Sequence, residues 1–585
     1  MGLAIPPGTP TNPCEVPGSD YCVEYVGEAQ LSITTDGHCQ EVSWVASGAT
    51  ELKDCVILKG HWYGGGEQFT QPWPIEQKPR PETAYVTADM LQRSNQWYGG
   101  VTEAYWISSQ GLAVYVSNLF YVIVSTHSIA DFAKLKVPDE VPLFLSLVDA
   151  DADGVADEMC FSARHEVPFA DRDSALILRY SVCSADDVRQ VHEATLPKFY
   201  SFPSGIPDEK MMRDTVWTTW AEYKTEINDS RVLALAYNVI EKGYPYSQIE
   251  IDDNWETCYG NAEFNTDRFS DAKAMVDELH ALGFRVTLWI HPFINDDCEA
   301  FAYADARGYF VKAADGVTQL TSWWQGNSAG IVDFTNTEAV SWWTGRLRDI
   351  QATTGMDGFK FDAGETSWLP DVFTLNAPVE KWPNVYTTSY VDVVSSFGGL
   401  TEVRSGRHNQ AAPIFFRMLD KNSNFQNLNG LKTLIPTLLH FGILGYPYVL
   451  PDMIGGNAYG GQPSDELFVR WTQANSLMPV LQFSLLPWRF GSIAAQEATV
   501  SGAPINRPTW WLCPLDEACL IADQQYLLGD DIVVAPITEE GATEKEVVLP
   551  PGDWVANVDG ATYTGPATVL FTGVTLDKFV YLTRA

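Results

Sequence analysis

Hydrophobic and polar residues follow three different patterns along the chain. Between about residues 20 and 195, short apolar runs are separated by Gly, Pro and Asp clusters, a pattern typical of a β-sandwich. From residue 216, strand-like runs alternate with segments of helical periodicity. After residue 487, short strands and turns return. The strands predicted in the first region include 114–116, 121–124, 143–148 and 175–180.

The alternation in the middle region predicts parallel βα units, and the region is long enough for an eight-stranded barrel. The predicted strands are 216–221, 248–252, 285–291 and 358–362, with helices at 231–242, 272–282 and 342–353. We therefore predict an α/β fold with a (β/α)8 TIM barrel at 206–486. An N-terminal β-sandwich domain is expected at 1–205 and a C-terminal β-sandwich domain at 487–585.

The charge balance limits the classes of partner. The chain carries 37 Lys and Arg against 75 Asp and Glu, a formal net charge of −38, which repels nucleic acid and anionic membranes. No apolar run reaches the length of a membrane span, and residues 1–7 lack the basic and apolar regions of a signal peptide. A homo-oligomer is compatible with the sequence.

The ten cysteines show no CxxC spacing, so we expect disulfides rather than a zinc site. Pairs that are close in sequence are Cys14 with Cys22, Cys39 with Cys55, Cys160 with Cys183, Cys258 with Cys298 and Cys513 with Cys519, although spacing alone leaves the connectivity open. Disulfides and the glycosylation sequon at Asn228 favour an oxidising, secreted or lumenal location.

An isolated acid, Asp362, follows the apolar strand at 358–361. Lys360 lies on the same side of that strand by the two-residue period, and a cation there keeps a carboxylate ionised. Ala363 and Gly364 are small, which suggests that a bulky group such as a sugar ring lies against the backbone beside the acid.

Other charged residues and one tryptophan also lie where predicted barrel strands end. Active sites of such barrels lie at these ends. They are Asp252, Asp253, Trp289, Arg404 and Asp420. Two acids from different strands, with Arg and Trp around them, suit glycoside hydrolysis, which uses one ionised carboxylate and one carboxylic acid. The alternative is that these acids only cap the helices that follow.

Several longer motifs carry a family resemblance, which extends from about His61 to the end of the chain. They are His61-Trp62-Tyr63-Gly64, Ile251-Asp252-Asp253, the segments 288–294, 360–365 and 417–421 with Arg404, and the glycine-containing segment 445–456. With these motifs the chain resembles glycoside hydrolase family 31, a family of retaining α-glycosidases. It is most similar to a branch that the resemblance ties to α-galactosidase activity.

The resemblance implies that Asp362 is the nucleophile, that Asp420 is the general acid/base and that Arg404 binds a sugar hydroxyl. We expect burial and the charge of Asp362 to keep Asp420 protonated. By the same resemblance Asp252, Trp289, Lys360 and Asp452 are pocket residues, and Trp323 and Trp324 lie on the leaving-group side. Asp253 and Trp220 fit the rim by pattern only.

The implied function is that of a retaining, exo-acting α-galactosidase, which removes terminal α-linked galactose from oligosaccharides or glycoconjugates and needs no cofactor. The segment Asp-Ala-Gly-Glu at 362–365, Ser484 and Phe425 depart from the α-glucosidases of the family, as expected for a pocket that accepts an axial C4 hydroxyl. An α-glucosidase or α-xylosidase, or a non-catalytic carbohydrate-binding protein, remain the alternatives.

One acidic segment resembles a calcium loop, because Asp149, Asp151, Asp153 and Asp157 alternate around Gly154. Its twelfth position is Cys160, where an EF-hand has Glu. The simpler interpretation is an acidic hairpin turn between two strands, so we predict no metal site there.

Overall fold

The computed structural model of the protein describes residues 5–91, 97–116, 140–169, 175–486 and 505–585. An eight-stranded parallel sheet, curled into a barrel, is flanked in sequence by antiparallel sheets, which confirms the predicted fold class. The strand predicted at 121–124 lies outside the described residues. Among the helices that the structure describes, none combines the length and the apolar character needed to cross a bilayer.

The N-terminal part of the chain forms a β-sandwich. One sheet has the strand order β1-β2-β3-β4-β12-β9-β8-β6 and the other β5-β11-β10-β7. Large side chains of both sheets, among them Trp44, Trp106 and Phe161, share one buried core. The strands are β1 Thr11–Pro13, β2 Tyr21–Tyr25, β3 Ala29–Asp36, β4 Cys39–Ala46, β5 Leu52–Ile57, β6 Trp62–Gln68, β7 Arg80–Ala84, β8 Tyr98–Ser108, β9 Leu112–Val116, β10 Leu143–Val148, β11 Glu158–Ala163 and β12 Ile177–Ser184.

All ten cysteines are paired in disulfides. The pairs Cys14–Cys22, Cys258–Cys298 and Cys513–Cys519 join cysteines that are close in sequence, as expected. The other two expected pairs are wrong, because the bonds are Cys39–Cys183 and Cys55–Cys160. Sheet pairing is the reason: β4 lies beside β12 with Cys39 opposite Cys183, and β5 lies beside β11 with Cys55 opposite Cys160.

The barrel strands are paired in chain order, and every neighbour pair is parallel. The last strand pairs back with the first, and the amide of Ile454 donates to the carbonyl of Gln482 to close the ring. The strands are β13 Val216–Thr218, β14 Gln248–Ile251, β15 Arg285–Ile290, β19 Gly358–Phe361, β20 Thr401–Val403, β21 Phe415–Arg417, β22 Val449–Leu450 and β23 Gln482–Phe483. An antiparallel insertion after β15 contains β16 Phe293–Asn295, β17 Leu320–Trp323 and β18 Gly326–Ile331.

Helices alternate with these strands as the periodicity predicted. The helix α4 is typical: Asn228 caps its first turn by accepting the Arg231 amide, and Val232, Leu235, Ala236 and Val239 form its buried face. The helices are α1 Val188–Phe199, α2 Glu209–Arg213, α3 Trp220–Tyr223, α4 Asp229–Glu241, α5 Ala272–Ala281, α6 Glu299–Asp305, α7 Thr337–Thr354, α8 Val385–Ser395, α9 Leu431–Ile443, α10 Asp465–Asn475 and α11 Glu517–Ile521.

The C-terminal strands form an antiparallel sheet of the order β24-β25-β26-β29-β27-β28. Its apolar residues, such as Val533 and Leu582, continue the core of the barrel. The strands are β24 Asn506–Arg507, β25 Tyr526–Leu528, β26 Ile532–Val534, β27 Glu544–Ala556, β28 Thr562–Thr572 and β29 Tyr581–Arg584.

Candidate active site

A cavity of about 230 Å³ opens at the carboxyl ends of the barrel strands. Most of the residues predicted for the site line it, and so do residues that the sequence did not single out, including Asp89, Arg417 and Tyr459. The predicted residues in its wall are Trp220, Asp252, Asp253, Trp289, Trp324, Lys360, Asp362, Arg404 and Asp420. Asp452 is fully buried and is absent from this wall.

Asp362 follows β19 and is held from several sides. The indole of Trp289 donates to Oδ2 at 2.8 Å, Arg417 Nη2 donates to Oδ1 at 3.0 Å, and Arg404 Nε lies 3.2 Å from Oδ1. Burial by itself raises the pKa of this carboxyl, but the charges of Arg404, Arg417 and Lys360 outweigh burial and hold the pKa well below its usual range. Asp362 is therefore an ionised carboxylate.

Asp420 lies beyond the end of β21 and reaches the same cavity. Arg417 Nη1 donates to its Oδ1 at 3.0 Å, and the hydroxyl of Tyr459 donates to Oδ2. Burial and the charge of Asp362 raise the pKa of Asp420, as expected, but Arg417, Arg404 and Tyr459 lower it by more. The pKa of Asp420 is therefore below its ordinary value in the free protein, which is the reverse of the sequence-based expectation.

The guanidinium of Arg417 connects these two acids. Its side chain is buried, and its two terminal nitrogens each bind a different carboxylate, while Nη1 also lies 3.3 Å from Asp452 Oδ1. The planar fork of arginine suits such a bridge, which a lysine ammonium cannot make with the same geometry. The sequence did offer a signal, because Arg417 is a charged residue at the end of the apolar run at 414–416.

Lys360 extends from β19 beneath the cavity. Its ammonium donates to Asp252 Oδ2 at 2.9 Å and to Glu250 Oε1 at 3.0 Å. Burial opposes the charge, but these carboxylates outweigh it and raise the pKa of Lys360. The ion pair with Lys360 therefore holds the carboxylate of Asp252 in a fixed orientation at the cavity.

Arg404 joins the barrel to the N-terminal part of the chain. Its Nη2 donates to Asp89 Oδ2 at 2.8 Å, and its Nε lies 2.7 Å from Glu365 Oε1. Glu365 also accepts from the indole of Trp368 at 2.9 Å. Burial raises the pKa of Glu365 to about 7 although Arg404 opposes the shift. Asp89 follows β7 in an irregular segment, where no periodicity marks it.

Asp253 is held by neutral donors. The hydroxyl of Tyr259 donates to Oδ1 at 2.7 Å, and Gln325 Nε2 donates to Oδ2 at 2.6 Å. Burial raises the pKa of Asp253 to about 6, and its two donors offset only part of that rise. Gln325 belongs to the turn between β17 and β18, so the antiparallel insertion supplies one wall of the cavity.

The remaining predicted residues divide between the cavity and its surroundings. Trp324 lies in the wall with the guanidinium of Arg404 5.1 Å from its ring centroid, whereas Trp323 is buried behind it against Phe293. Asp452 accepts from the Lys421 amide at 2.8 Å and orients the segment that carries Asp420. Trp220 lies at the rim, where its indole donates to Asn457 at 2.9 Å.

Ala363 and Gly364 do not make room for a ligand, which corrects the sequence-based interpretation. Both are buried and absent from the cavity wall, and both have positive φ angles, of 59° and 91°. A Cβ on Gly364 would lie 2.2 Å from Cδ1 of Tyr390. The hydroxyl of Tyr390 donates to the backbone oxygen of Asp362 at 2.8 Å. The small residues therefore make room for the Tyr390 ring, which fixes the backbone of Asp362.

Replacing Gly364 by alanine is therefore expected to impair folding more than substrate binding. We expect Gly364→Ala to lower the free energy of unfolding by about 2–4 kcal/mol, from overpacking against Tyr390 and from strain at positive φ. Gly345→Ala in α7 is the control, since its added Cβ meets no atom within 4 Å beyond the backbone of its own helix. Urea unfolding measures both. Normal stability combined with a raised KM in Gly364→Ala would contradict this account.

Ser484 also lies outside the cavity wall. It is buried, donates to the carbonyl of Thr218 at 3.0 Å and accepts the amide of Ala221, so it ties β13 to the start of α3. Ser484 therefore joins two barrel elements and does not contact the cavity.

The acidic segment at 149–157 forms a turn between β10 and β11. Asp149, Asp151 and Asp153 are close enough to share an ion. Their carboxylates also accept backbone amides: Asp149 accepts those of Ala152 and Gly154, and Asp153 accepts that of Val155. Asp157 likewise accepts the amide of Ala150 at 2.8 Å. These bonds are those of the acidic hairpin turn.

Comparison with known proteins agrees with the geometry. Residues 214–499 match the family description "Glycosyl hydrolases family 31 TIM-barrel domain", and residues 502–585 match "Glycosyl hydrolase family 31 C-terminal domain". The myogenesis-regulating glycosidase of Mus musculus is 35% identical, over 94% of this chain and 78% of its own length. The SITS-binding protein of Tetronarce californica is 25% identical, over 92% and 77%.

A solved structure shares the architecture. A GH31 family sulfoquinovosidase from E. rectale superposes with a TM-score of 0.76 at 16% identity, covering 98% of this chain and 88% of its own. At that identity the likeness concerns the fold. The two family matches and the 35% identical relative show that this chain is a member of glycoside hydrolase family 31.

Proposed function

We propose that this protein is a retaining, exo-acting α-galactosidase. The observation that carries the proposal is the bridge made by Arg417, whose guanidinium binds Asp362 and Asp420 at 3.0 Å each. Two carboxylates bound to one planar fork must face the same small space. A retaining glycosidase needs two carboxyl groups that face one space, at a separation of about 5–5.5 Å.

Asp362 is the nucleophile of the first step. Its ionised oxygen attacks the anomeric carbon, the bond from that carbon to the leaving oxygen breaks, and the leaving oxygen takes a proton from Asp420. The positive charges around Asp362 keep it ionised even at acid pH, so no general base is needed to activate it. The product is a covalent glycosyl-enzyme.

Asp420 acts in both steps with opposite roles. In the second step it accepts a proton from water, the water oxygen attacks the anomeric carbon, and the bond to Asp362 breaks. A lowered pKa suits the second role, because a glycosyl-enzyme needs Asp420 as a base. For the first role Asp420 must bind a proton, so we expect activity at acid pH.

The cavity accounts for exo action and for sugar binding. Its volume of about 230 Å³ suits one sugar ring rather than an oligosaccharide. Its wall offers ring hydroxyls both acceptors and donors, in Asp252 with Lys360 and in Asp89 with Arg404. Trp289 and Trp324 offer the apolar surface that sugar ring faces require.

The choice of galactose rests on the motifs at 61–64, 251–253, 288–294 and 417–421, which resemble the branch with α-galactosidase activity. The structure removes one argument for it, since Ala363, Gly364 and Ser484 lie outside the cavity wall. An α-glucosidase or α-xylosidase specificity is the competing assignment.

Turnover of a panel of aryl α-glycosides tests the proposal. We expect kcat/KM for the aryl α-galactoside to exceed those for the α-glucoside and α-xyloside by at least about 100-fold, since a misplaced hydroxyl leaves buried polar groups unpaired. A higher kcat/KM for the glucoside or xyloside would reassign the substrate. Binding of a sugar without hydrolysis of any panel member would favour the non-catalytic carbohydrate-binding protein.

The disulfides support a further part of the proposal, that the protein works in a secreted or lumenal compartment. Five disulfides and no free cysteine require oxidising conditions during folding. Equal yield and activity after expression in a reducing cytosol would contradict this.

A further inference from the structure

Asp420, the proton-transfer group of the site, has a second hydrogen-bond partner besides Arg417. Tyr459 donates its hydroxyl to Asp420 Oδ2, while Arg417 donates to Oδ1. Both carboxylate oxygens of Asp420 are therefore engaged in the free protein. A substrate whose leaving oxygen must approach Asp420 has to replace one of these two partners.

The two partners differ in how firmly they are held. Arg417 is buried and also binds Asp362 and Asp452. Tyr459, in contrast, is 53% exposed to solvent. If the substrate displaced Arg417, several buried charges would lose their partner. If it displaces Tyr459, only one hydroxyl becomes exposed to water.

The backbone before Tyr459 is held in place, whereas the residues after it are loosely packed. Asn457 and Ala458 donate their amides to Lys421 and Ser423, but a Cβ built on Gly460 or Gly461 meets no atom within 4 Å beyond the neighbours in the chain. The ring of Tyr459 touches Trp220 edge-on, with centroids 6.3 Å apart, and Lys224 Nζ lies 5.1 Å from its centroid. Moving this ring unpacks no core residue.

We propose that Tyr459 is a positioning residue that holds Asp420 as a carboxylate in the free enzyme and is displaced by the leaving oxygen of the substrate. This inference rests on the proposed function. In the complex, the glycosidic oxygen takes the place of the Tyr459 hydroxyl at Oδ2, and Asp420 takes up a proton from solvent, which it then donates to that oxygen. The Tyr459 hydroxyl therefore favours the ionised form of Asp420 in the free enzyme but not in the complex.

Other charges face Asp420 and stay in place when Tyr459 leaves. Arg417 and Arg404 favour its ionised form, and Asp362 opposes it. Asp452 lies behind it across Arg417, and Lys224 lies near it at the rim. These groups contribute equally with and without the Tyr459 hydroxyl, so Tyr459→Phe isolates one contact.

The pH dependence of an α-galactoside with a poor leaving group tests the inference. The basic limb of kcat/KM reports the proton on Asp420 in the free enzyme, and that of kcat reports it in the complex. Removing a hydrogen bond to the carboxylate raises its pKa, so Tyr459→Phe should move the basic limb of kcat/KM upward by about one pH unit. The basic limb of kcat should not move.

Two controls accompany the measurement. Tyr237→Phe removes another exposed tyrosine that donates to a carboxylate, that of Glu278 at 2.7 Å on the outer helices, and should leave both limbs unchanged. An activated aryl α-galactoside, whose leaving group needs no proton, should show no shift in Tyr459→Phe. The melting temperature confirms that the variant is folded.

Three results would overturn the inference. An unchanged kcat/KM limb in Tyr459→Phe would mean that the hydroxyl does not act on Asp420. An equal shift of the kcat limb would mean that Tyr459 stays in place when substrate binds. Absence of turnover by the unaltered protein would overturn the proposed function itself, and this inference with it.

Discussion

Asp362→Asn is expected to lower kcat for an aryl α-galactoside by at least about four orders of magnitude, because an amide does not form the glycosyl-enzyme. The environment of this residue explains the size of the effect. Arg404, Arg417 and Trp289 all bind the carboxylate, and their charges and hydrogen bond stabilise the ionised form. An asparagine keeps the shape of the side chain but has neither the charge nor the nucleophilic oxygen.

A second aspartate beside the same strand provides the matched control. Asp357 precedes β19, at the opposite end of the strand, where it accepts the amide of Val286 at 2.7 Å and binds His280. We expect Asp357→Asn to retain turnover within about tenfold, since surface changes of this kind act on stability rather than on chemistry. Near-normal turnover by a folded Asp362→Asn variant would contradict the assignment of the nucleophile.

The second large effect is expected for Asp420→Ala, and its size should depend on the leaving group. For an α-linked disaccharide, kcat/KM should fall by about 10²–10⁴-fold, the usual contribution of general acid catalysis. For an aryl α-galactoside with an acidic phenol, the first step needs no proton, so its rate should change little. Turnover then becomes limited by the second step, where water lacks its base.

The response to azide tests whether Asp420→Ala has lost the general base of the second step. A small anion can enter the space left by the carboxylate and attack the glycosyl-enzyme without a general base. We expect azide to accelerate Asp420→Ala and to yield α-galactosyl azide, identified by its NMR coupling constants. Equal losses for both leaving groups, with no azide product, would mean that Asp420 does not transfer the proton.

Much of this fold follows from local patterns in the sequence. The barrel strands are short, apolar and followed by polar residues, and the observed bounds of β14, β15 and β19 lie within one residue of the predicted ones. Because parallel strands bring their carboxyl ends to one rim, Asp252, Asp362 and Asp420 could be expected to meet there. The cavity wall contains all three.

Features that depend on distant contacts could not be predicted in this way. Cys39 pairs with Cys183 because β4 lies beside β12, and no local pattern reveals which strands are neighbours. Asp89 reaches Arg404 from an irregular segment of the N-terminal region. Gly364 was assigned to the ligand because its small size was visible in the sequence while the ring of Tyr390 beside it was not.

The protonation of Asp420 shows the same limit. Burial and the nearby Asp362 were visible as reasons for a raised pKa. The opposing contacts come from Arg417, three residues earlier at the end of β21, and from Tyr459, thirty-nine residues away in sequence. Which effect wins depends on distances that only the folded chain defines.

During turnover, Asp362 is expected to become covalently bonded to a galactosyl group. Incubation with 5-fluoro-α-galactosyl fluoride should trap this species, because the fluorine slows its hydrolysis more than its formation. Mass spectrometry of the digested protein should then find one fluorogalactosyl group on the peptide that contains Asp362. A label on a peptide with Asp420 but not Asp362, or rapid turnover by the folded protein with inverted product and no label, would contradict the claim.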